Sequence, residues 1–345
     1  MKMTDIDILV RENIKALSPY SCARDEFSGS EGTFLDANES PFGSLNRYPD
    51  PYQRKLKEKI SAIKGMPPGS IFLGNGSDEI IDLCFRIFCK PGTDSALIFP
   101  PTYGMYEVAA EINDVKLARV PLTEDFQIDT EEALKALNDR SIKLVIICSP
   151  NNPTGNAMKA SDIELIVKSF RGIVLIDEAY SDFSVHKSFR GLTAACGNLI
   201  VMQTFSKAMG MAAARIGMAF MNPQLLTYFN KVKPPYNIST INQRAALNCL
   251  SRCELVRKRI SIILKERERL AGALEKIAVI EKVYPSDANF LLVRTTDADR
   301  IYSELQKMNI IVRNRNKIIR GCIRITVGTR KENNILLKAL RNISL

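Results

Sequence analysis

A single lysine, Lys207, stands among small and apolar residues in the stretch TFSKAMGMAAARIG (204–217). A protonated ammonium without a partner costs several kcal/mol when it is taken out of water, so burial favours the neutral amine. A neutral lysine amine is the nucleophile that enzymes use to form a covalent bond with a carbonyl compound. The composition of the stretch predicts a buried segment, whereas a solvated loop lysine is the alternative.

Polar turns follow three short apolar runs in the middle of the chain, KLVIICS (143–149), GIVLIDE (172–178) and LIVMQT (199–204). Such nearly continuous apolar runs are typical of parallel strands that are covered on both faces. Ligands of open parallel sheets bind outside the carboxyl ends of the strands, and here the turns SPNNPTG, DEAY and FSKAMG follow those ends. The residues that we expect along this rim are Asn152, Asp177, Tyr180, Ser206 and Lys207.

The turn GNGSDE (74–79) precedes a helical apolar pattern and leaves backbone N–H groups open at a predicted helix N-terminus. Such a terminus is an anion site. Each turn has a structural explanation as well, since NNPTG is a good β-turn and Asp177 or GNGSDE could simply cap a helix. The turns predict a ligand site because they occur together, in order, on successive strand ends.

The elements that must position these turns are a parallel sheet and its helices. A further strand, SALIFP (95–100), precedes the three runs, and SDIELIVKSF (161–170) predicts a helix that begins with a capping box of Ser161 and Glu164. Strand, helix and strand in succession indicate a right-handed βαβ unit. After about residue 245 a long basic helix (252–277) is followed by strands at 289–295, 310–314 and 322–328. A last helix begins at Thr329, which forms a capping box with Glu332. Together these elements predict a smaller α+β unit.

Composition and charge exclude several classes of protein. The 345 residues carry a net charge of +10, but the basic residues are spread along the chain and do not form a block that would indicate nucleic-acid binding. No apolar run is long enough to span a bilayer, and the first residues lack a signal-peptide core, so we expect a cytoplasmic protein. The eight cysteines form no C-x-x-C pair, and the single histidine, His186, argues against a metal site and against Ser-His-Asp chemistry.

The motifs SPNNPTG, DEAY and TFSKAMGMAAARIG together resemble the fold-type I pyridoxal-phosphate aminotransferases. Within that family, LSPYSCAR, DANESPFG, RYPDPYQ, PPTYGMYEVAA, IIVRNRNK and CIRITVGTR are similar to the histidinol-phosphate aminotransferases. GMAAARIG departs from the pattern, since relatives more often have Gly and Leu before the arginine. The resemblance implies an α/β fold, with a large domain whose mostly parallel sheet is covered by helices and a smaller α+β domain. The implied division is an N-terminal segment 1–45 that packs with the small domain, a large pyridoxal-phosphate domain 46–245 and a small domain 246–345.

The resemblance also implies a role for each candidate residue. Pyridoxal 5'-phosphate would be held covalently by Lys207, which then serves as general base, while Asp177 would pair with the pyridine nitrogen. The 3'-oxygen of the cofactor would contact Asn152 and Tyr180, and Tyr103 would stack on the cofactor ring. The groups implied for the cofactor phosphate are the N–H groups of Ser77 and Asp78, the hydroxyls of Thr204 and Ser206, Arg215, and Tyr48 from the other subunit of a homodimer. The residues implied for the substrate are Tyr20, Asn38, Arg313 and Arg324.

The substrates that the resemblance implies are histidinol phosphate and glutamate or 2-oxoglutarate. One site would then take a phosphate and a carboxylate in turn, and the forked guanidinium of arginine matches either anion. Three alternatives stay open. These are an aromatic-amino-acid aminotransferase, a threonine-phosphate decarboxylase of the same fold, although CIRITVGTR favours the aminotransferase, and a basic nucleic-acid-binding protein. The last would explain the charge but not the strand-end turns.

Overall fold

The structure, a computed structural model, describes residues 6–21 and 32–343 and contains two sheets in these ranges. The strands of the larger, seven-stranded sheet are β1 (Ile71–Asn75), β2 (Ser95–Ile98), β3 (Lys116–Arg119), β4 (Ile142–Cys148), β5 (Ile173–Asp177), β6 (Leu199–Thr204) and β7 (Ile216–Met221). The strands of the smaller, four-stranded sheet are β8 (Ile280–Val283), β9 (Phe290–Thr295), β10 (Arg313–Asn314) and β11 (Cys322–Thr326).

The described helices occur before, between and after these strands. They are α1 (Ile6–Leu9), α2 (Glu12–Ala16), α3 (Arg54–Lys64), α4 (Ser77–Phe88), α5 (Met105–Ile112), α6 (Thr130–Ala136), α7 (Ala160–Ser169), α8 (Pro223–Val232), α9 (Thr240–Leu250), α10 (Cys253–Leu274), α11 (Ala298–Lys307) and α12 (Arg330–Arg341). None of these helices is long and apolar enough to cross a membrane.

The strands of the larger sheet lie in the order β1-β7-β6-β5-β4-β2-β3. Strands β2 to β6 pair in parallel, and β7 is antiparallel to both of its neighbours. The predicted α/β fold is confirmed, and the four predicted strands lie within two residues of their expected positions. Strands β1, β3 and β7 were not predicted. Because β4, β5 and β6 are adjacent and parallel, the three polar turns leave the sheet side by side at one edge.

Both faces of the larger sheet are covered by helices. One face packs against α4, α5 and α8 around buried residues such as Phe72, Phe85 and Phe229. The other face packs against α6 and α7, with Ile163 and Val167 of α7 among the buried side chains. Two-sided coverage is why the central strands are apolar at nearly every position.

The helix predicted at 161–170 is present, but the capping box predicted at Ser161 is wrong. Helix α7 begins at Ala160, its N-cap residue is Lys159, and no side chain caps it. Because Ser161 already lies in the first turn, its hydroxyl donates to Asp162 and the box with Glu164 does not form. The predicted capping box at the last helix is confirmed, since Thr329 Oγ1 accepts from the Glu332 N–H and the Glu332 carboxylate accepts from the Thr329 N–H.

The smaller sheet is antiparallel, in the order β10-β11-β9-β8, and packs against α10, α11 and α12. The long basic helix is confirmed as α10, which buries Val256, Leu270 and Leu274. The sheets are joined near the rim, because the Asp287 N–H donates to the Gly155 carbonyl at 2.7 Å and the Asp287 carboxylate accepts from the Ala157 N–H at 2.8 Å. This joint holds the residues before β9 against the turn that follows β4.

Gly217 in β7 lets the start of α4 approach the sheet, and we predict that Gly217→Ala destabilises the fold. A Cβ atom at this position would lie 2.6 Å from both the Gly76 carbonyl carbon and the Ser77 nitrogen, so backbone must move. Overpacking of this kind costs about 1–3 kcal/mol of unfolding free energy. Gly272→Ala is the control, because a Cβ there meets open space within α10 and should stabilise by about 0.5–1 kcal/mol. Equal denaturation midpoints for the two variants would contradict the close approach.

Candidate active site

Asp177 is the last residue of β5 and is buried in the middle of the sheet's carboxyl edge. One of its oxygens accepts from the Tyr106 hydroxyl at 2.7 Å, and the other accepts from the Ala179 N–H at 3.0 Å. Burial raises the pKa of this carboxyl from 3.8 to about 6, although both hydrogen bonds act in the opposite direction. The site therefore contains a desolvated carboxylate with a high affinity for a proton or a cationic N–H donor.

Lys207 lies in the turn after β6, the strand next to β5, and its side chain is exposed in this chain. The expectation of a buried segment holds only in part, because Phe205 and Ala208 are buried whereas Met211 to Arg215 are half-buried or exposed. The Lys207 ammonium lies 5.6 Å from the centre of the Tyr180 ring. Partial desolvation by the cleft walls, followed by the positive charge of Arg324, lowers the pKa of Lys207, while Asp177 opposes this shift. The amine is thus a better nucleophile at neutral pH than an ordinary lysine.

The turn after β4 carries Asn152, which joins the two sheets. Its amide N–H donates to the Tyr180 hydroxyl at 3.4 Å, and its side-chain oxygen accepts from Arg324 of β11. The guanidinium of Arg324 also lies 5.1 Å from the centre of the Phe290 ring, which packs edge-on against Tyr180. Arg324 is therefore held over the rim from the smaller sheet.

A neighbouring side chain, Asn151, ties this turn to the one after β2. Asn151 is fully buried, accepts from the Thr102 hydroxyl at 2.9 Å and donates to the Pro101 carbonyl at 2.9 Å. The loop that it fixes carries Tyr103, whose ring packs edge-on against Tyr106 at 5.5 Å. Burial, followed by the charge of Asp78, raises the pKa of Tyr103 to about 12, so its hydroxyl keeps its proton.

The predicted anion site at the start of α4 faces Arg215. Gly76 has φ +77°, a backbone conformation that favours glycine, and a Cβ there would lie 2.5 Å from the Arg215 guanidinium, which would have to shift. Arg215 donates to the Asp78 carboxylate at 3.1 Å and, more weakly, to the Ser206 hydroxyl at 3.5 Å. The free N–H groups of Ser77 and Asp78, the Ser206 hydroxyl and Arg215 therefore surround one position at the helix N-terminus.

Thr204 is buried beside this position, where its hydroxyl donates to the Ile216 carbonyl at 3.3 Å and accepts from the Ser206 N–H at 3.1 Å. These bonds shape the turn that carries Lys207. A contact from Thr204 to a phosphate would require its hydroxyl to turn away from Ile216.

Three of the predicted site residues, Tyr48, Asn38 and Tyr20, do not lie at the rim. Tyr48 is half-exposed and stacks on Tyr236 at 4.3 Å. Together with Asn38, which is exposed and has φ +52°, these tyrosines line a groove of about 420 Å³. The other predicted cofactor residues do not line this groove. Tyr20 is 70% exposed, and no hydrogen bond or ring contact among the described residues joins it to the rim.

Arg313 is exposed and lies directly opposite Arg324 in the pairing of β10 with β11. Tyr106 was missed by the sequence analysis, although its hydroxyl contacts Asp177. The signal was its position three residues after Tyr103, across the start of α5, and the two rings pack edge-on. His186 is exposed, and within residues 6–21 and 32–343 no cluster of acidic, histidine or cysteine side chains could hold a metal ion.

The raised pKa of Asp177 predicts a pH-dependent penalty on stability in the protein without bound small molecules. The folded carboxyl has a pKa of about 6 against an ordinary value of 3.8, so it binds its proton more tightly when folded and the native state loses stability as pH rises between these values. Asp177→Asn removes the titration. The free energy of unfolding of Asp177→Asn, relative to that of the unchanged protein, should rise by about 2–3 kcal/mol between pH 4 and pH 7. Urea unfolding of both proteins at several pH values measures this, and parallel pH curves would contradict a desolvated carboxylate.

Comparison with known proteins identifies the family. A sequence profile described as aminotransferase class I and II matches residues 31–340. The histidinol-phosphate aminotransferase of Cytophaga hutchinsonii is 50% identical over 343 residues, which cover 97% of this chain and 98% of that protein.

Two solved structures share the fold. The histidinol-phosphate aminotransferase of Clostridium acetobutylicum is 28% identical, with a TM-score of 0.79 over 86% of this chain and 90% of that one. The enzyme of the same name from Sinorhizobium meliloti, solved in complex with pyridoxal-5'-phosphate, is 24% identical, with a TM-score of 0.80 over 88% of each chain. The fit over nearly the full length, together with the profile match, shows that the chain belongs to the aminotransferase class I and II family.

Proposed function

We propose that this protein uses pyridoxal 5'-phosphate to transfer an amino group between L-histidinol phosphate and 2-oxoglutarate, giving imidazole acetol phosphate and L-glutamate. The observation that carries the proposal is the meeting of three groups at one rim: a lysine amine with a lowered pKa, a buried carboxylate and an arginine that forms no ion pair with a carboxylate of the described residues. The relatives named above support the choice of substrates, because the Cytophaga hutchinsonii protein is half identical to this chain.

The residues at the rim fit the cofactor. Asp177 is a buried carboxylate whose two hydrogen bonds come from neutral donors, so a pyridinium N–H would supply the positive partner that it lacks. At the other end, the N-terminus of α4 and Arg215 fit a phosphate, since both the backbone N–H groups and the guanidinium favour negative charge. When bound, pyridoxal phosphate supplies an electrophilic carbon for the amino group and a ring that accepts an electron pair from the substrate Cα.

Lys207 performs the proton transfer in this proposal. Its lowered pKa leaves more neutral amine at working pH, and its Nζ lies near the Tyr180 ring, within reach of the charge of Asp177. Lys207 Nζ accepts the proton that leaves the substrate Cα. With the cofactor bound, Asp177 would keep the pyridine nitrogen protonated, Asn152 and Tyr180 would hold the ring through its 3'-oxygen, and Tyr103 would cover its face.

Arg324 selects the substrates by their anions. Its guanidinium is anchored by Asn152 and Phe290 and is half-buried, so an incoming phosphate or carboxylate replaces water next to a fixed positive charge. Arg313 lies opposite Arg324 on the neighbouring strand and adds positive charge from the solvent side. The places of Tyr20 and Asn38 in substrate binding, the domain boundaries at 45 and 245, and the cytoplasmic location stay predictions.

The amino-transfer reaction is tested with purified holoenzyme. We expect glutamate to form from 2-oxoglutarate when histidinol phosphate is the donor. Lys207→Ala should lower the rate at least 10²- to 10⁴-fold, the range that a positioned acid–base group contributes. Lys187→Ala, at an exposed lysine of the same sheet edge, is the control and should keep full activity. Release of carbon dioxide without glutamate would replace the proposal with a decarboxylase, and faster transfer from phenylalanine would replace it with an aromatic aminotransferase.

We further propose a homodimer in which Tyr48 reaches the cofactor phosphate of the other subunit. The stretch from Met211 to Arg215 is open to solvent in one chain, although it borders the phosphate position. Tyr48 is half-exposed and lines a different groove. A two-fold partner that covers the stretch would bring the tyrosine to it, and closed two-fold dimers are the commonest soluble assemblies.

Mixing subunits tests the shared site. Tyr48→Phe keeps the ring that stacks on Tyr236 but removes the hydroxyl, so its loss of activity should reflect the phosphate contact. Heterodimers that combine Lys207→Ala with Tyr48→Phe should recover about half of the activity of the unchanged dimer, because one of the two sites is then intact. Activity that stays at the level of the Tyr48→Phe homodimer would mean that the tyrosine acts within its own chain.

A further inference from the structure

A third arginine, Arg315, lies on the face of the smaller sheet that carries Arg313 and Arg324. Arg313 pairs with Arg324 across β10 and β11, and the Arg315 N–H extends the ladder by donating to the Cys322 carbonyl at 2.9 Å. Side chains two residues apart in extended backbone point to the same face. Arg313 and Arg315 therefore share one face, opposite the positions of Arg324 and Cys322.

The charges of these arginines are not neutralised by the described part of the chain. No ion pair with a described carboxylate is formed by any of the three. The Nε atoms of Arg315 and Arg324 are both buried without a hydrogen-bond acceptor. Burial, followed by the charges of Arg324 and Arg313, lowers the pKa of Arg315 to about 10. Partly desolvated like charges without a counter-ion are unfavourable, and an anion bound among them would remove the penalty.

The position of Arg315 connects it with the catalytic rim. Arg324 is the charged group that acts most strongly on Arg315, and Arg324 itself contacts the rim through Asn152. A phosphate ester carries about −1.5 to −2 charges at pH 7, so a further guanidinium stabilises it more than it stabilises a carboxylate.

We propose that Arg315 is a specificity-determining residue that favours a phosphate dianion over a carboxylate as the anion bound beside Arg324. The inference deepens the function proposed above and rests on it for the identity of the two substrates. Arg315 then acts on binding of the phosphorylated substrate, while the proton transfer at Lys207 proceeds without it.

The test measures each half-reaction of the holoenzyme separately. Arg315→Gln should raise the KM for histidinol phosphate about 10- to 100-fold, the value of a lost charge-assisted hydrogen bond, and the KM for glutamate less than about 3-fold, with kcat unchanged in both. Arg315→Lys should restore part of the phosphate preference, because it returns the charge without the fork. Arg320→Gln, at an exposed arginine of the same turn, is the control and should change neither KM.

Two simple anions separate a failure of this inference from a failure of the proposed function. Inorganic phosphate and acetate are tested as inhibitors of the glutamate half-reaction, which does not depend on histidinol phosphate as substrate. Arg315→Gln should weaken inhibition by phosphate about 10-fold and leave inhibition by acetate unchanged. An equal loss for both anions, an equal rise of both KM values, or no change in either would overturn the role of Arg315, whatever the natural amino donor is.

Discussion

The burial of the Asp177 carboxylate at the end of β5 is the constraint to which the other parts of the site are fitted. A charge that is taken out of water must gain hydrogen bonds or a partner, and here the Tyr106 hydroxyl and the Ala179 N–H supply only neutral donors. These hydrogen bonds only partly offset the cost of burial, so the pKa of Asp177 remains raised, at about 6. Because β5 lies between β4 and β6, the same edge also presents Asn152 on one side and Lys207 on the other. The sheet order thus converts three separated stretches of sequence into one reactive rim.

The contact between Arg324 and Asn152 extends this rim to the second sheet. It holds the guanidinium of Arg324, on a strand of the smaller sheet, in a fixed position relative to the turn after β4. Phe290 and the bonds of Asp287 support the same joint, so several contacts fix the distance between the two sheets. Recognition of an anion requires a donor that is fixed in this way, because a charge-assisted hydrogen bond weakens steeply when donor and acceptor are misaligned.

The sequence predicted best what depends on continuous apolar runs and on motifs at their ends. The strands β2, β4, β5 and β6 were found because two-sided burial leaves few polar residues in them. Strand β3 was missed because its residues are only partly buried or exposed, and the cap at Ser161 failed because the helix begins one residue earlier. Exposure of Lys207 could not be predicted, since small and apolar residues look alike in a core and in an open cleft. Tyr106 and Arg315 were missed because their roles depend on contacts with other strands and turns.

The ion pair of Arg215 with Asp78 shows how the cofactor end of the site can stay stable without a ligand and still accept one. The side chains of Arg215 and Asp78 are 45% and 37% exposed, so the pair contributes at most about 1 kcal/mol and can yield Arg215 to a phosphate at little cost. Asp78 also occupies the first turn of α4, where a negative charge is favourable, so its carboxylate partly satisfies the helix terminus in the absence of a phosphate. Asp177 is the opposite case, because it is buried and no charged donor bonds to it. The two ends of the site therefore differ in physical character: one exchanges a weak internal partner for a ligand, and the other gains a partner that the protein itself does not provide.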